Sequence, residues 1–298
     1  MHLRALTLSL LLTGCATTVS QTSFTIQQTG LAPGMSAPLL GGPSGRAGRG
    51  FLLGGAQAGI ASGGPSIADG GTGGVIADDG GRVGAGYSGG WWEIAGAFEL
   101  RPGNWAHAGA SDVSNAFRST TLVYPTIAVR FSPIRQEHFE FGITTELSVA
   151  VGPYSRSVSS VTDTTTYFPN APPQSGESMG TSSQSGTVAI PIFRTGLTLS
   201  FIYGPFALSM GVLMATQPYF TAVQTTTQSC VNDDCSGQTA DDVPIVDYAF
   251  ALVPYIGPSL ALGDSSRIGL QLFGNISSNA ALTQVSPLGG ELTLRAQF

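Results

Sequence analysis

The sequence predicts an all-β chain: an antiparallel transmembrane β-barrel of 8–10 strands, with an N-terminal signal peptide and a flexible tether. Three observations carry this prediction. Only 10% of the 298 residues are charged, while 42% are hydrophobic and 41 are glycine; soluble domains carry roughly 25% charged residues. From residue 91 onward, apolar and polar residues alternate, the period-2 mark of strands with one apolar face. The connections between these segments run long, short, long, short along the chain, as a barrel with loops at one rim and tight turns at the other requires.

The N-terminus comes first. His2-Leu3-Arg4 supplies one positive charge and Ala5 to Leu12 a short apolar run. That run falls well short of the about 20 residues a spanning helix needs and suits a secretory signal. It ends in Leu12-Thr13-Gly14-Cys15, which resembles the bacterial lipoprotein lipobox. The resemblance implies that residues 1–14 are removed and that Cys15 is lipidated, with palmitate among its acyl chains. Ala16 stands where the family's inner-membrane retention signal would place aspartate, which implies outer-membrane export. Residues 15–50 then read as lipid anchor and tether, rich in Thr, Ser, Gln, Gly and Pro with no sustained period. Residues 51–298 read as the barrel, with clear strands from 91.

The clearest strand is 139–153: Phe139, Phe141, Ile143, Thr145, Leu147, Val149 and Val151 share one face, Glu140, Gly142, Thr144, Glu146, Ser148 and Ala150 the other. Segment 246–262 repeats it with Val246, Tyr248, Phe250, Leu252, Ile256, Leu260 and Leu262. Six more follow at 91–101, 121–131, 193–201, 206–214, 268–276 and 290–298. Phased on apolar residues alone, the eight segments place Glu93, Glu99, Arg101, Arg130, Glu140, Glu146, Arg194, Asp247, Glu291 and Arg295 on the polar, lumen-facing side. The connections are 102–120, 132–138, 154–192, 202–205, 215–245, 263–267 and 277–289. A further strand in 51–61 needs a partner in the Gly-rich stretch 70–90, so the count is eight or ten, with ten favoured.

Leu292, Leu294, Ala296 and Phe298 resemble the C-terminal strand signal of outer-membrane barrels. That resemblance implies the outer-membrane assembly machinery as a partner through the strand ending in Phe298, beside membrane lipid. Trp91, Trp92, Phe131, Phe139, Tyr203 and Phe206 lie near strand ends and read as interfacial girdle aromatics.

Chemistry is sparse. The net charge of −6, with every basic residue an arginine, excludes a nucleic-acid partner, which needs a basic patch. Cys230 and Cys235 close a small loop and are expected to form a disulfide outside the cytoplasm. No second cysteine pair or nearby histidine completes a zinc site. Gly84-Ala85-Gly86-Tyr87-Ser88-Gly89 matches the G-x-G-x-x-G string, but Trp91-Trp92-Glu93 after it reads as strand where a dinucleotide site needs a helix. Asp78-Asp79, Asp233-Asp234 and Asp241-Asp242 lack the spacing of a calcium loop. Hence no metal, no cofactor and no catalytic residue is expected. The reading is a non-enzymatic barrel with a structural or surface-display role. Three alternatives stand beside it: a narrow channel for small solutes, a lipid-modifying enzyme using His107, Ser111 and Asp112, and a soluble β-sandwich lipoprotein.

Overall fold

The computed structural model describes residues 16–60, 74–77, 79–102, 105–106, 121–221, 223–279 and 288–298. Among them the chain forms β1 (Thr17–Pro33), β2 (Arg49–Ile60), β3 (Gly74–Ala77), β4 (Gly80–Ser88), β5 (Trp92–Pro102), β6 (Trp105–Ala106), β7 (Thr121–Arg135) and β8 (Phe139–Phe168). Then come β9 (Ala171–Tyr203), β10 (Phe206–Tyr219), β11 (Val223–Val231), β12 (Asp234–Gly237), β13 (Asp247–Ala261), β14 (Ser266–Gly274), β15 (Ile276–Ser277) and β16 (Leu288–Gln297). They fall into two compact units, to both of which β8 and β9 contribute residues.

The larger unit comprises Gln28–Ser155, Ser185–Ala222 and Ile245–Phe298. Its sheet runs β8-β7-β5-β4-β2-β16-β14-β13-β10-β9 and closes where β9 pairs with β8, a ten-stranded barrel. The seam between the first and last barrel strands, β2 and β16, is paired from Phe51–Gln297 to Ile60–Leu288. The two strands in doubt at the sequence level are β2 and β4, inserted between β16 and β5. Glycine is needed on their inner face: a Cβ at Gly86 would lie 2.3 Å from the Phe51 ring. The turns at one rim are short, and Gly204 and Gly263 adopt the positive φ values (59° and 77°) that let the chain reverse tightly there.

The barrel is apolar outside and polar inside. Leu147 is 52% exposed while its neighbour Glu146 is 1% exposed. Ile94, Phe98, Ile127, Phe250, Leu270 and Leu292 likewise point outward, whereas Ala249, Gln271 and Glu291 are buried. In water this contiguous apolar exterior would far exceed the few hundred Å² a soluble monomer tolerates; in a bilayer it is the solvated face. The sandwich alternative is thereby corrected, because all ten strands close one sheet and its apolar face points away from the interior. Aromatics collect at the short-turn rim, where Trp91 meets Phe131 edge-on at 5.0 Å and His138 stacks on Tyr203 at 6.4 Å.

Three sequence expectations need correcting. Residues 16–50 are not a flexible tether: 17–33 form β1, and most of 28–45 is buried. The connection 154–192 is not a loop but the long β8–β9 hairpin, turning at 169–170; residues 171–187 are largely polar and exposed throughout and gave no apolar period. Val246 is not on the outward face; it precedes β13 and is buried with Leu122 and Phe220.

The smaller unit comprises residues up to Gln27, Arg156–Gln184 and Val223–Pro244. In it β1 pairs antiparallel with β11, from Val19–Val231 to Gln27–Val223, and β11 pairs with β12. Asn232 and Asp233 adopt φ values of 48° and 71°, as a two-residue hairpin turn requires. Directly below that turn, Cys230 and Cys235 face each other across the strands and form a disulfide. A small core of Ile26, Ala240 and Val243 is closed by Arg156, which donates to the carbonyl oxygens of Val243 (3.1 Å) and Ala240.

Candidate functional site: a filled lumen

An eight-stranded barrel is just wide enough for its own side chains to fill. Ten strands leave room, and residues 28–46 occupy it. Prolines at 33, 38 and 43 lack the N–H that a sheet ladder needs, so this stretch stays extended and offers its carbonyl oxygens to the wall. It enters at the long-connection rim, where Gly30–Pro33 run parallel to β3. There Leu31 and Ala32 pack against Leu122, Tyr124, Ala150 and Ile190. Gly152 permits the approach, since a Cβ there would sit 2.4 Å from the Leu31 carbonyl oxygen. Met35 and Ala37 pack against Leu213, Val253 and Phe273. Lower, Leu39 and Leu40 meet Phe51, Ala95 and Ala128.

Wall arginines and carboxylates hold this segment along its length. Gln57 donates to the Met35 carbonyl oxygen at 3.0 Å, and Arg194 to that of Ser36 at 3.2 Å. Arg82 donates to the carbonyl oxygens of Ala37 (3.1 Å) and Pro38 (3.2 Å). The Leu39 N–H donates to Glu146, and Arg130 donates to the carbonyl oxygens of Leu40 (2.8 Å) and Gly42 and to the Ser44 hydroxyl (2.7 Å). At the short-turn rim the Ser44 N–H donates to Glu140 (2.9 Å) and the Gly45 N–H to Glu93 (2.7 Å). Arg46 then pairs with Asp264 at 2.9 Å.

The same charges pair with one another. Glu93 lies between Arg130 and Arg295, the latter at 2.5 Å, and Arg130 also stands 3.7 Å from Glu140. Glu99 accepts from Arg101 at 3.1 Å and from the Tyr124 hydroxyl at 2.9 Å. Arg194 reaches Glu146 at 2.8 Å, and Arg82 reaches Glu291 at 2.6 Å. Each buried ion costs several kcal/mol to desolvate, so it persists only where opposite charges and hydrogen bonds surround it. The lumen meets that condition by interleaving wall charges with the backbone of the segment.

Nine of the ten lumen charges named from sequence lie in this network; Asp247 is apart from it, at the long-connection end, where it accepts from the Thr221 hydroxyl. Arg82 and Ser44 were missed. Arg82 sits among glycines that hide the phase of β4, and Ser44 lies in the stretch that read as tether. A usable signal was present: Leu31, Met35, Leu39 and Leu40 make that stretch too apolar for a solvated linker.

Cys15, Asp78, His107, Ser111 and Asp112, with the signal peptide, lie outside the described residues. Asp233 and Asp234 sit at the β11–β12 turn, and Asp242 accepts from the Thr239 N–H and hydroxyl at 2.7 and 2.8 Å. Among the described residues no cluster of three or more His, Cys, Asp or Glu could hold a metal ion.

An even number of strands, an apolar exterior, a rim of aromatics, and short turns opposite long connections define a bacterial outer-membrane β-barrel. Its last strand carries the outward apolar alternation of Leu292 and Leu294 through to Phe298. No protein-family model matches the chain, and no curated protein matches its sequence. Among solved structures it is similar to the outer membrane protease OmpT from Escherichia coli, at 8% identity and a TM-score of 0.34, covering 96% of this chain and 98% of that one. It is also similar to the translocator domain of the autotransporter NalP from Neisseria meningitidis, at 14% identity and a TM-score of 0.24, covering 99% and 94%. A third is the toluene transporter TodX of P. putida, at 7% identity and a TM-score of 0.21, covering 93% and 88%.

Proposed function

We propose that the protein is a non-enzymatic surface-display barrel whose lumen is a conduit for its own chain. The observation that carries this reading is the course of residues 28–46 from the long-connection rim to the short-turn rim. Long connections of outer-membrane barrels lie outside the cell and short turns in the periplasm. The chain preceding Gln28 therefore joins the barrel at its cell-surface rim. The acyl anchor at Cys15 that the lipobox resemblance implies precedes this point in the chain. A lumen filled by apolar and ion-paired contacts disfavours the channel alternative.

The test uses single cysteines at exposed positions on each side, Gln21→Cys and Ser265→Cys, with a membrane-impermeant maleimide on intact cells. The native pair Cys230–Cys235 is oxidised and silent without reductant. Labelling of Gln21→Cys in intact cells, with Ser265→Cys labelled only after permeabilisation, supports the reading; the reverse pattern overturns it.

A further inference from the structure

At the short-turn mouth of the barrel lies a cavity of about 450 Å³, lined by Arg46, Arg135, Arg267 and Arg295 with Asp264 as the acidic residue in its wall. The arginines are differently committed. Arg46 is paired with Asp264 and Arg295 with Glu93. Arg135 donates to the carbonyl oxygens of Gly90 and Gly45. Arg267 has only the Ser259 hydroxyl, at 3.0 Å, and no carboxylate among the described residues. Moreover, Arg267 and Arg295 are direct partners across β14 and β16, so both guanidinium groups rise from the same face of adjacent strands. Like charges directly opposite one another destabilise a strand pair. In a lumen where the other wall arginines, Arg295 included, are matched to acids or carbonyls, Arg267 is the exception, and it lines open volume.

We infer that this mouth binds a small oxyanion, a phosphate- or carboxylate-bearing solute of the periplasm, between Arg267 and Arg135, with Arg46 at its edge. A guanidinium offers a planar fork that matches the two oxygens of such a group. The volume exceeds one phosphate and lies within the range of small-molecule pockets. The arginines face the interior of the mouth and not the outer apolar wall, which favours a solute in water over the headgroup of a neighbouring lipid. The binding itself stands independently of the side on which the N-terminus emerges; only the periplasmic source of the solute rests on the orientation proposed above.

The full chain is folded in zwitterionic nanodiscs and titrated calorimetrically with inorganic phosphate, glucose 6-phosphate and glucose. Saturable heats for the two phosphates, none for glucose, and binding weakened roughly tenfold or more in Arg267→Gln are expected. Arg267→Gln should also raise the unfolding temperature in phosphate-free buffer, because it relieves Arg295. Should that variant fail to fold, Arg46→Gln, which lies outside the sheet, must weaken binding on its own. Equal heats for glucose and glucose 6-phosphate overturn the inference, as does binding unchanged in both variants. Discs of phosphatidylglycerol separate the sources: binding retained there supports a solute, whereas binding abolished there means that the lipid headgroup takes the mouth, and the solute assignment falls.

Discussion

Arg130 on β7 donates to the carbonyl oxygen of Leu40 at 2.8 Å, joining the barrel wall to a residue 90 positions earlier in the chain. The same guanidinium is neutralised by Glu93, which also holds Arg295. Glu93, on β5, thus ties together the lumen segment through Gly45, β7 through Arg130 and β16 through Arg295. Removing Glu93 leaves two buried cations short of a counter-charge. We expect Glu93→Ala to lower stability by about 3–5 kcal/mol, read as the urea midpoint in lipid vesicles, with Glu93→Gln less damaging because it retains one acceptor.

The two faces of β14 should fail by different routes. Leu270→Arg puts a charge on the lipid face and should cost about 2–4 kcal/mol near mid-membrane, seen as reduced folding into vesicles. Gln271→Arg should insert normally, yet it crowds Gly41, since the Gln271 side chain already lies within 2.9 Å of where a Gly41 Cβ would stand. It should loosen the lumen segment and expose 34–46 to protease. If both variants lose insertion equally and neither becomes protease-sensitive, the inside–outside assignment of this strand is wrong.

Filling should govern conductance. The wild-type protein is expected to be closed in planar bilayers. Gly152→Leu drives a side chain into the Leu31 carbonyl while leaving the strand backbone free to pair. It should produce intermittent ion currents with heat-modifiable gel migration retained. Steady currents from the wild type would contradict a plugged barrel.

Acylation and the disulfide can be read on whole cells. Cys15→Ser should abolish lipidation and leave precursor; wild-type protein from membranes that carries no acyl mass would sink the lipobox reading. Cys230 and Cys235 should react with an impermeant maleimide on intact cells only after reductant is added.

The strands from residue 91 onward were legible in sequence because a bilayer makes one face of each uniformly apolar: Leu147 and Glu146 declare their sides without any knowledge of neighbours. Three parts were not. The inner face of β4 is Arg82, Gly84, Gly86 and Ser88, and glycine carries no hydropathy by which to phase a strand. The distal β8–β9 hairpin is largely polar and exposed throughout 171–187, so alternation vanished although pairing did not. Residues 30–41 are buried throughout, and a segment surrounded by partners has no period to display. The ion pairs were legible as inward charges, but their second role, gripping the backbone of residues 35–45, depends on a segment that sequence alone placed elsewhere.

The seam between β2 and β16 sets an order of events. The lumen segment runs directly into β2, the strand on which the last strand docks. Once that seam has zipped, an extended chain with buried arginine contacts cannot be fed through the ring from one end. The segment must already lie against the open sheet, and the later strands wrap it as staves close around a mandrel. Its interior charges then serve assembly before they serve the finished barrel: each new strand meets a carbonyl or an opposite charge on the mandrel, and a strand arriving out of register meets none.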